Sequence, residues 1–170
     1  MIQAPKQLPV RPTTDFAKSG LFNILANRVD FEEISVLDLF CGTGNISYEF
    51  ASRGCTKLTA VDQDFHCTKF VNETFKKLGV NSAKVLRADV FRFLENCVQT
   101  FDIIFADPPY EMSTTDKIAE MVFNKKLLNE KGLLIVEHQS KRKLEGIILP
   151  DEIRTYGNCA FSFFSSKDAG

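Results

Sequence analysis

The sequence predicts an α/β fold in which an open, mostly parallel sheet ends in an antiparallel hairpin. Short continuous apolar runs, typical of strands buried on both faces, alternate with segments whose apolar residues recur at helical spacing. Near the end of the chain, two strand-like segments flank Gly157-Asn158, a pair typical of hairpin turns. Such alternation favours a parallel sheet with helices packed on its faces.

The individual elements follow from these runs. The predicted strands cover residues 36–40, 58–61, 83–86, 102–106, 133–136, 152–156 and 160–165. The first predicted helix follows Asp15 and carries Phe22, Leu25 and Val29 at helical spacing, and the others cover residues 46–53, 65–78, 91–98 and 115–128. The first helix is entered through Pro12-Thr13-Thr14-Asp15, which supplies an acidic first turn, and the third stops at Gly79.

Length and composition predict one soluble domain. The 170 residues are 44% hydrophobic, so we expect a single domain over 1–170, with 1–14 as an extended N-terminal segment. Lysine and arginine number 21 against 22 acidic residues, and the net charge of −1 restricts any nucleic-acid contact to a local patch. No apolar run approaches the roughly 18 residues of a membrane span, so we expect a cytoplasmic protein.

The cysteines and histidines predict no metal centre. The five cysteines are odd in number and form no C-x-x-C pattern, so buried reduced thiols are expected. His66 and His138 lack metal-ligand spacing to other residues.

A glycine turn follows the first predicted strand. Asp38-Leu39-Phe40-Cys41-Gly42-Thr43-Gly44-Asn45 runs from a buried strand into a helix, the place where open parallel sheets bind ligands. A nucleotide-like ligand is the functional interpretation, and a plain strand-to-helix turn is the alternative. Ser47 stands where a dinucleotide-binding motif needs its third glycine, which weakens the interpretation as a pyrophosphate site.

Acidic residues end the next two strands. Asp62 lies 20 residues past Gly42, where a carboxylate can accept hydrogen bonds from both ribose hydroxyls of NAD or of S-adenosylmethionine. Asp62 and Asp64 could instead cap the following helix, a role that suits Asp64 better. Asp89 suits an adenine amino group and a helix N-cap equally well.

The fourth strand ends in Asp107-Pro108-Pro109-Tyr110. The two prolines fix the backbone, so acceptor oxygens and the Tyr110 ring are held rigidly at the ligand edge of the sheet. Methylation of an exocyclic amine needs acceptors that grip the amine hydrogens and a flat ring that stacks on the base. A structural Pro-Pro turn is the alternative.

Together these motifs resemble the class I S-adenosylmethionine-dependent methyltransferases. The resemblance implies a Rossmann-like seven-stranded sheet of order 3-2-1-4-5-7-6 with helices on both faces. The series from Arg11-Pro12-Thr13-Thr14-Asp15 through the glycine turn and DPPY to Gly132–His138 resembles the RsmD-type enzymes, over roughly residues 8 to 140. Those enzymes methylate the N2 of a guanine in small-subunit (16S) ribosomal RNA.

The resemblance and the motifs together give the candidate site. The cofactor that the resemblance implies is S-adenosyl-L-methionine, with candidate contacts from Asp38, Phe40, Gly42, Thr43, Gly44, Asn45, Asp62, Gln63, Asp89, Val90 and Asp107. Candidate catalytic residues are Asp107, Pro108, Pro109 and Tyr110, and candidate substrate-binding residues are Arg11, Thr13, Tyr110, Lys141 and Arg142. The expected partner is ribosomal RNA or the small ribosomal subunit, and the expected state is a monomer without metal or membrane.

One departure from the family and several alternatives remain. RsmD-type enzymes usually begin with a basic, glycine-rich hairpin, whereas ten residues precede Arg11 here and Lys6 is their one charge. We therefore expect weaker RNA affinity, affinity supplied elsewhere, or another target; Lys141-Arg142-Lys143 could contact phosphate or be a solvated loop. The alternative functions are methylation of adenine N6 or of protein glutamine, NAD-dependent reduction, and non-catalytic RNA binding.

Overall fold

A computed structural model describes residues 2–8, 13–110 and 114–167. Its helices are α1 (Asp15–Ala26), α2 (Asn45–Ser52), α3 (Phe65–Lys77), α4 (Val90–Asn96) and α5 (Thr115–Asn124). Its strands are β1 (Ser35–Leu39), β2 (Lys57–Asp62), β3 (Lys84–Arg87), β4 (Phe101–Ala106), β5 (Leu128–Gln139), β6 (Glu152–Tyr156) and β7 (Cys159–Ser165). In residues 2–8 the chain makes a turn in which the Leu8 N–H donates to the Pro5 carbonyl (3.2 Å).

The described strands form one sheet of order β3-β2-β1-β4-β5-β7-β6, which confirms the predicted order. Strands β1 to β5 pair in parallel, and β7 pairs antiparallel with both β5 and β6. The first five strands therefore end at one edge, and β7 is inserted between β5 and β6 with the opposite direction.

Alternation along the strands divides the core into two layers. Val36 packs with α1, α2 and α3 on one face of the sheet, whereas Leu37 packs with α4 and α5 on the other. Successive side chains of a strand point to opposite faces of the sheet, so both faces of the central strands are covered by helices. No described helix has the long apolar stretch that a membrane span requires.

Two details differ from the predicted elements. Strand β3 is largely exposed, because it is the edge strand of the sheet, so the expectation that it is buried on both faces was wrong. Helix α5 ends at Asn124 rather than Leu128, since Lys126 adopts a left-handed conformation (φ 53°) and Leu128 already belongs to β5. All five cysteines are buried thiols, as predicted.

Candidate functional site

A cleft of about 1380 Å³ lies where the parallel strands end. Its wall is built from the turns that follow β1, β2, β3, β4 and β5 and from the start of α1. Pockets for a single small ligand usually measure about 300–1,000 Å³. The cleft therefore has room for a nucleotide-sized ligand and a second planar group beside it.

The turn after β1 is held by left-handed backbone. Gly42 (φ 52°) and Gly44 (φ 84°) adopt conformations that side chains disfavour, and Phe40 (φ 57°) shares this geometry. A Cβ on Gly44 would come within 2.7 Å of the Tyr48 ring, so this glycine permits the packing of α2 against the turn. Gly44 lies behind the cleft wall, whereas Phe40, Gly42, Thr43 and Asn45 line it.

Asp62 links the ends of β1 and β2. One carboxylate oxygen accepts the Gly42 N–H (2.9 Å) and the other accepts the Asp64 N–H (2.9 Å). Each carboxylate oxygen has a second lone pair, so Asp62 can still accept two ligand hydroxyls at the cleft wall. Asp64 caps α3 through the Cys67 N–H (2.8 Å), the role predicted for it.

Asp38 is a buried carboxyl in the cleft floor. It is only 1% exposed, and the Ser47 hydroxyl donates to it at 2.5 Å. Removal from water raises the pKa of Asp38 from 3.8 to about 7, and the negative charge of Asp62 adds to the rise. A carboxylate buried this deeply is costly on its own, and a cationic ligand group beside it would offset that cost.

Asp89, Gln63 and Val90 line the cleft beyond β2 and β3. The Asp89 carboxylate accepts the Arg92 N–H (3.0 Å) and caps α4, so one of its two proposed roles is present in the structure. Asp89 also lines the cleft, and its carboxylate has further lone pairs that can accept a ligand amino group.

The segment Asp107–Tyr110 closes the cleft on the side of β4. The Asp107 N–H donates to the Leu39 carbonyl (3.3 Å), which fixes the end of β4 against β1. Pro108 is buried, Pro109 is exposed and Tyr110 is half-buried, and all three line the cleft. Removal from water raises the pKa of Asp107, and the charges of Glu137 and Asp38 raise it further.

Glu137 is a site residue that the sequence analysis missed. It is 3% exposed, lines the cleft, and accepts the Thr13 hydroxyl at 2.6 Å. Ala106 pairs with Val136, so Asp107 and Glu137 are the next residues on neighbouring strands. The sequence does contain a signal for Glu137, a glutamate within an apolar strand run. Such a residue is expected to be buried, and a buried carboxylate needs partners.

Thr13 joins the two halves of the cleft. Besides its hydroxyl contact with Glu137, its carbonyl accepts the Asn45 side-chain amide at 3.4 Å. The Asn45 side-chain oxygen in turn accepts the Lys18 ammonium at 3.0 Å. The start of α1 therefore connects the glycine turn to the end of β5.

Of the other predicted substrate contacts, only some line the cleft. Lys141 is exposed and lines the cleft, whereas Arg142 is half-buried and lies outside the wall, its N–H donating to the Gln139 carbonyl (3.1 Å). Arg11 lies outside the described residues. Several aromatic rings of the wall were also missed, among them Phe16, Phe65, Phe91 and Tyr156.

His138 holds a structural position, whereas His66 is exposed and lines the cleft. His138 is buried, with Nδ1 2.8 Å from the Gln139 carbonyl and Nε2 2.7 Å from the Ser162 hydroxyl. Across the part of the chain that the structure describes, no three His, Cys, Asp or Glu side chains group as metal ligands would.

Comparisons with known proteins show which proteins this chain is similar to. The model of the family described as conserved hypothetical protein 95 matches residues 1–165. A Bacillus subtilis (strain 168) protein described as an rRNA methyltransferase, YlbH, is 30% identical over 92% of this chain and 88% of its own. Ribosomal RNA small subunit methyltransferase D of Escherichia coli (strain K12) is 25% identical over 84% of this chain and 71% of its own. The structure of a hypothetical protein from Thermus thermophilus superimposes with a TM-score of 0.84 at 24% identity, over 98% and 93% of the two chains.

Proposed function

The chain belongs to the family of conserved hypothetical protein 95, the RsmD-type methyltransferases, and on that premise we propose that it methylates the exocyclic N2 of a guanine in small-subunit ribosomal RNA. The relatives named for ribosomal RNA methylation support the substrate class. The observation that carries the choice of guanine is the adjacent pair of carboxyl groups, Asp107 and Glu137, at the end of β4 and β5. A ribosomal substrate implies action in the cytoplasm.

The cleft fits S-adenosylmethionine. When bound, this cofactor supplies an electrophilic methyl group on a sulfonium sulfur. Asp62 would accept the ribose hydroxyls, and Asp89 and Val90 would meet the adenine at the far end of the cleft. Asp38 is the buried anion that a cationic amino group would neutralise, which agrees with its raised pKa of about 7.

The Asp107–Tyr110 segment would orient the target amine. Its nitrogen lone pair is delocalised into the base, and acceptors that hold the amine hydrogens favour a nucleophilic geometry. Asp107 and a neighbouring backbone carbonyl would serve as these acceptors, and the Tyr110 ring would stack on the base. Asp107, whose pKa is raised, would then accept the proton that the amine loses.

The carboxyl pair favours guanine over adenine. Guanine presents the N1–H and both N2 hydrogens side by side, whereas adenine presents its amino group beside an unprotonated N1. When both groups are ionised, the two adjacent carboxylates can accept all three guanine hydrogens, whereas one of them would face the N1 lone pair of adenine. An acceptor left unpaired beside adenine would weaken the binding of adenine relative to guanine by about 1–3 kcal/mol.

Substitution of Asp107 tests this assignment. We expect Asp107→Ala to reduce methyl transfer by about 10² or more, because a preorganised acceptor acting in the transition state is lost. Cofactor affinity should survive, as measured by calorimetry, since Asp62 and Asp38 are untouched. Glu95→Ala, an exposed carboxylate of α4, is the matched control and should turn over normally. Near-normal turnover of Asp107→Ala would reject the proposed role.

A further inference from the structure

An exposed aromatic ring stands at the mouth of the cleft. Phe16, in the first turn of α1, is 70% exposed although its ring is apolar, and it lines the cleft. The exposed Val98 and Ile147 lie away from the cleft wall. An apolar ring exposed at a binding cleft is available to stack against a planar ligand group.

The Phe16 ring is held in place by Tyr156. The two ring centroids are 5.6 Å apart and the rings are nearly perpendicular (79°). An edge-to-face contact covers at most one face of a ring, so Phe16 keeps a face open. Tyr156 itself rests on Phe161, with ring centroids 5.8 Å apart.

Gly20 makes this arrangement possible. It lies one helical turn after Phe16, and a Cβ at Gly20 would fall 2.2 Å from Cε1 of Tyr156. The Tyr156 ring therefore lies directly against the backbone of α1, beside Phe16.

A cationic side chain lies on the adjoining segment. Tyr156 leads into the hairpin turn, where the Asn158 carbonyl accepts the Ser140 N–H at 2.9 Å. Lys141 follows Ser140, is exposed, and lines the cleft. The hydrogen bond between Thr13 and Glu137 places the start of α1 on this same side, next to the pair of carboxyl groups.

We propose that Phe16 is the stacking platform for the unpaired RNA base next to the methylated guanine, with Lys141 contacting the adjacent phosphate. The inference rests on the proposed function, because it takes RNA as the substrate. Extruding one base into a pocket deprives its neighbour of a stacking partner, and an exposed aromatic ring replaces that partner. Lys141 lines the same cleft as the Phe16 ring, and its ammonium group suits the phosphate that follows the stacked base.

A fluorescent base tests the contact directly. The probe is a single-stranded RNA of about 12 nucleotides with one guanine and 2-aminopurine at either flanking position, titrated with protein and S-adenosylhomocysteine. Stacking on an aromatic ring quenches 2-aminopurine, so wild-type protein should quench one of the two probes. Phe16→Ala and Phe16→Leu should lose that quenching, Phe16→Trp should retain it, and Val98→Ala, an exposed apolar residue outside the cleft, should leave it unchanged.

Kinetics give an independent readout. Base–aromatic stacking is worth about 1–3 kcal/mol, so Phe16→Ala should raise KM for the RNA roughly fivefold to a hundredfold with kcat nearly unchanged. An RNA with an abasic flanking position should give the same KM with wild-type protein and with Phe16→Ala.

Three results would overturn the proposal. The first is that wild-type protein does not quench either probe at saturating RNA. The second is that Phe16→Ala quenches as much as wild type. The third is that Phe16→Ala methylates ribosomal subunits poorly although it binds the oligonucleotide normally. The last result would assign Phe16 to a protein contact. The quenching assay needs binding and no turnover, so it remains decisive even if the methyl acceptor is not guanine N2.

Discussion

At the scale of single residues, Asp62 is the side chain on which cofactor affinity should depend most. Its oxygens lie at the cleft wall, each already oriented by a backbone N–H at 2.9 Å. Asp62→Ala should weaken binding of S-adenosylmethionine by about 1.5–3 kcal/mol, about ten- to hundredfold, because hydrogen bonds to an ionised acceptor are lost. Isothermal calorimetry measures this affinity.

A neighbouring aspartate provides the control for that substitution. Asp64→Ala also removes one negative charge, but the contact that it deletes is the N-cap of α3. It should lower the free energy of unfolding by about 1 kcal/mol and leave the affinity for S-adenosylmethionine unchanged. Unchanged affinity in a folded Asp62→Ala protein would contradict the ribose assignment.

Asp38 should make the stability of the ligand-free protein dependent on pH. Its folded pKa of about 7 exceeds its ordinary value of 3.8, so the folded state holds the proton more tightly than the unfolded state. The contribution of Asp38 to the free energy of unfolding is fully present below pH 3.8. It falls by up to ~4 kcal/mol as the pH rises to 7.

Replacing that carboxyl should remove the dependence. Asp38→Asn still accepts the Ser47 hydroxyl but cannot ionise, so it should unfold at higher urea than wild type at pH 8, with a smaller difference at pH 5. Urea titrations at both pH values measure the effect. A larger advantage at pH 5 than at pH 8 would show that the buried charge is not the cause.

At the scale of elements, the junction of α1 with β6 is the most sensitive contact. Gly20→Ala would gain up to about 1 kcal/mol of helix propensity at an ordinary helix position. Here the added Cβ meets the Tyr156 ring at 2.2 Å, and overpacking of this kind costs about 1–3 kcal/mol. We therefore expect a net loss of stability, measured as a lower thermal midpoint.

A second alanine substitution on the same helix separates propensity from packing. Ser19 is exposed on α1, so Ser19→Ala should be neutral or slightly stabilising. If both variants raised the thermal midpoint, the Gly20–Tyr156 contact would not constrain the helix.

Local sequence patterns predicted the elements well where periodicity and capping agree. Helix α3 was predicted over 65–78 and runs from Phe65 to Lys77, because its apolar stripe and the Gly79 stop coincide. The end of α5 was missed because Lys126 adopts a positive φ (53°) without the glycine that usually marks such a turn. The exposure of β3 depends on its place at the sheet edge, a tertiary property that a local pattern does not carry.

Some residues of the candidate site could be predicted from local motifs, and others could not. Asp62 follows a buried apolar run and Asp107 opens the DPPY motif, so their positions at strand ends were predictable. Glu137, Phe16 and Tyr156 reach the cleft from distant parts of the chain, and only the folded sheet brings them there. The contact between Thr13 and Glu137 spans 124 positions, so no local pattern could predict it.

At the scale of the whole molecule, the net charge of −1 limits how this enzyme can bind RNA. Phosphate neutralisation supplies much of the affinity for free RNA, so deproteinised RNA should bind weakly. A folded small subunit can present the guanine already unpaired, which reduces the few kcal/mol that base flipping costs, and it offers protein surfaces for docking.

We therefore predict that assembled or partly assembled small subunits are methylated faster than deproteinised RNA. The measurement is the initial rate at physiological salt with equal concentrations of each acceptor. Subunits from cells lacking the enzyme provide unmodified substrate. An equal or faster rate with protein-free RNA would contradict this preference.

If this cleft transfers a methyl group to the N2 of a guanine, the decisive measurement is to identify the methylated atom. The purified protein is incubated with methyl-labelled S-adenosylmethionine and small subunits from cells that lack it, and the digested RNA and protein are analysed by mass spectrometry. The account predicts label on one guanosine as N2-methylguanosine, absent with Asp107→Ala. Label on adenine N6 or on a protein glutamine, or no label in any acceptor, would contradict it.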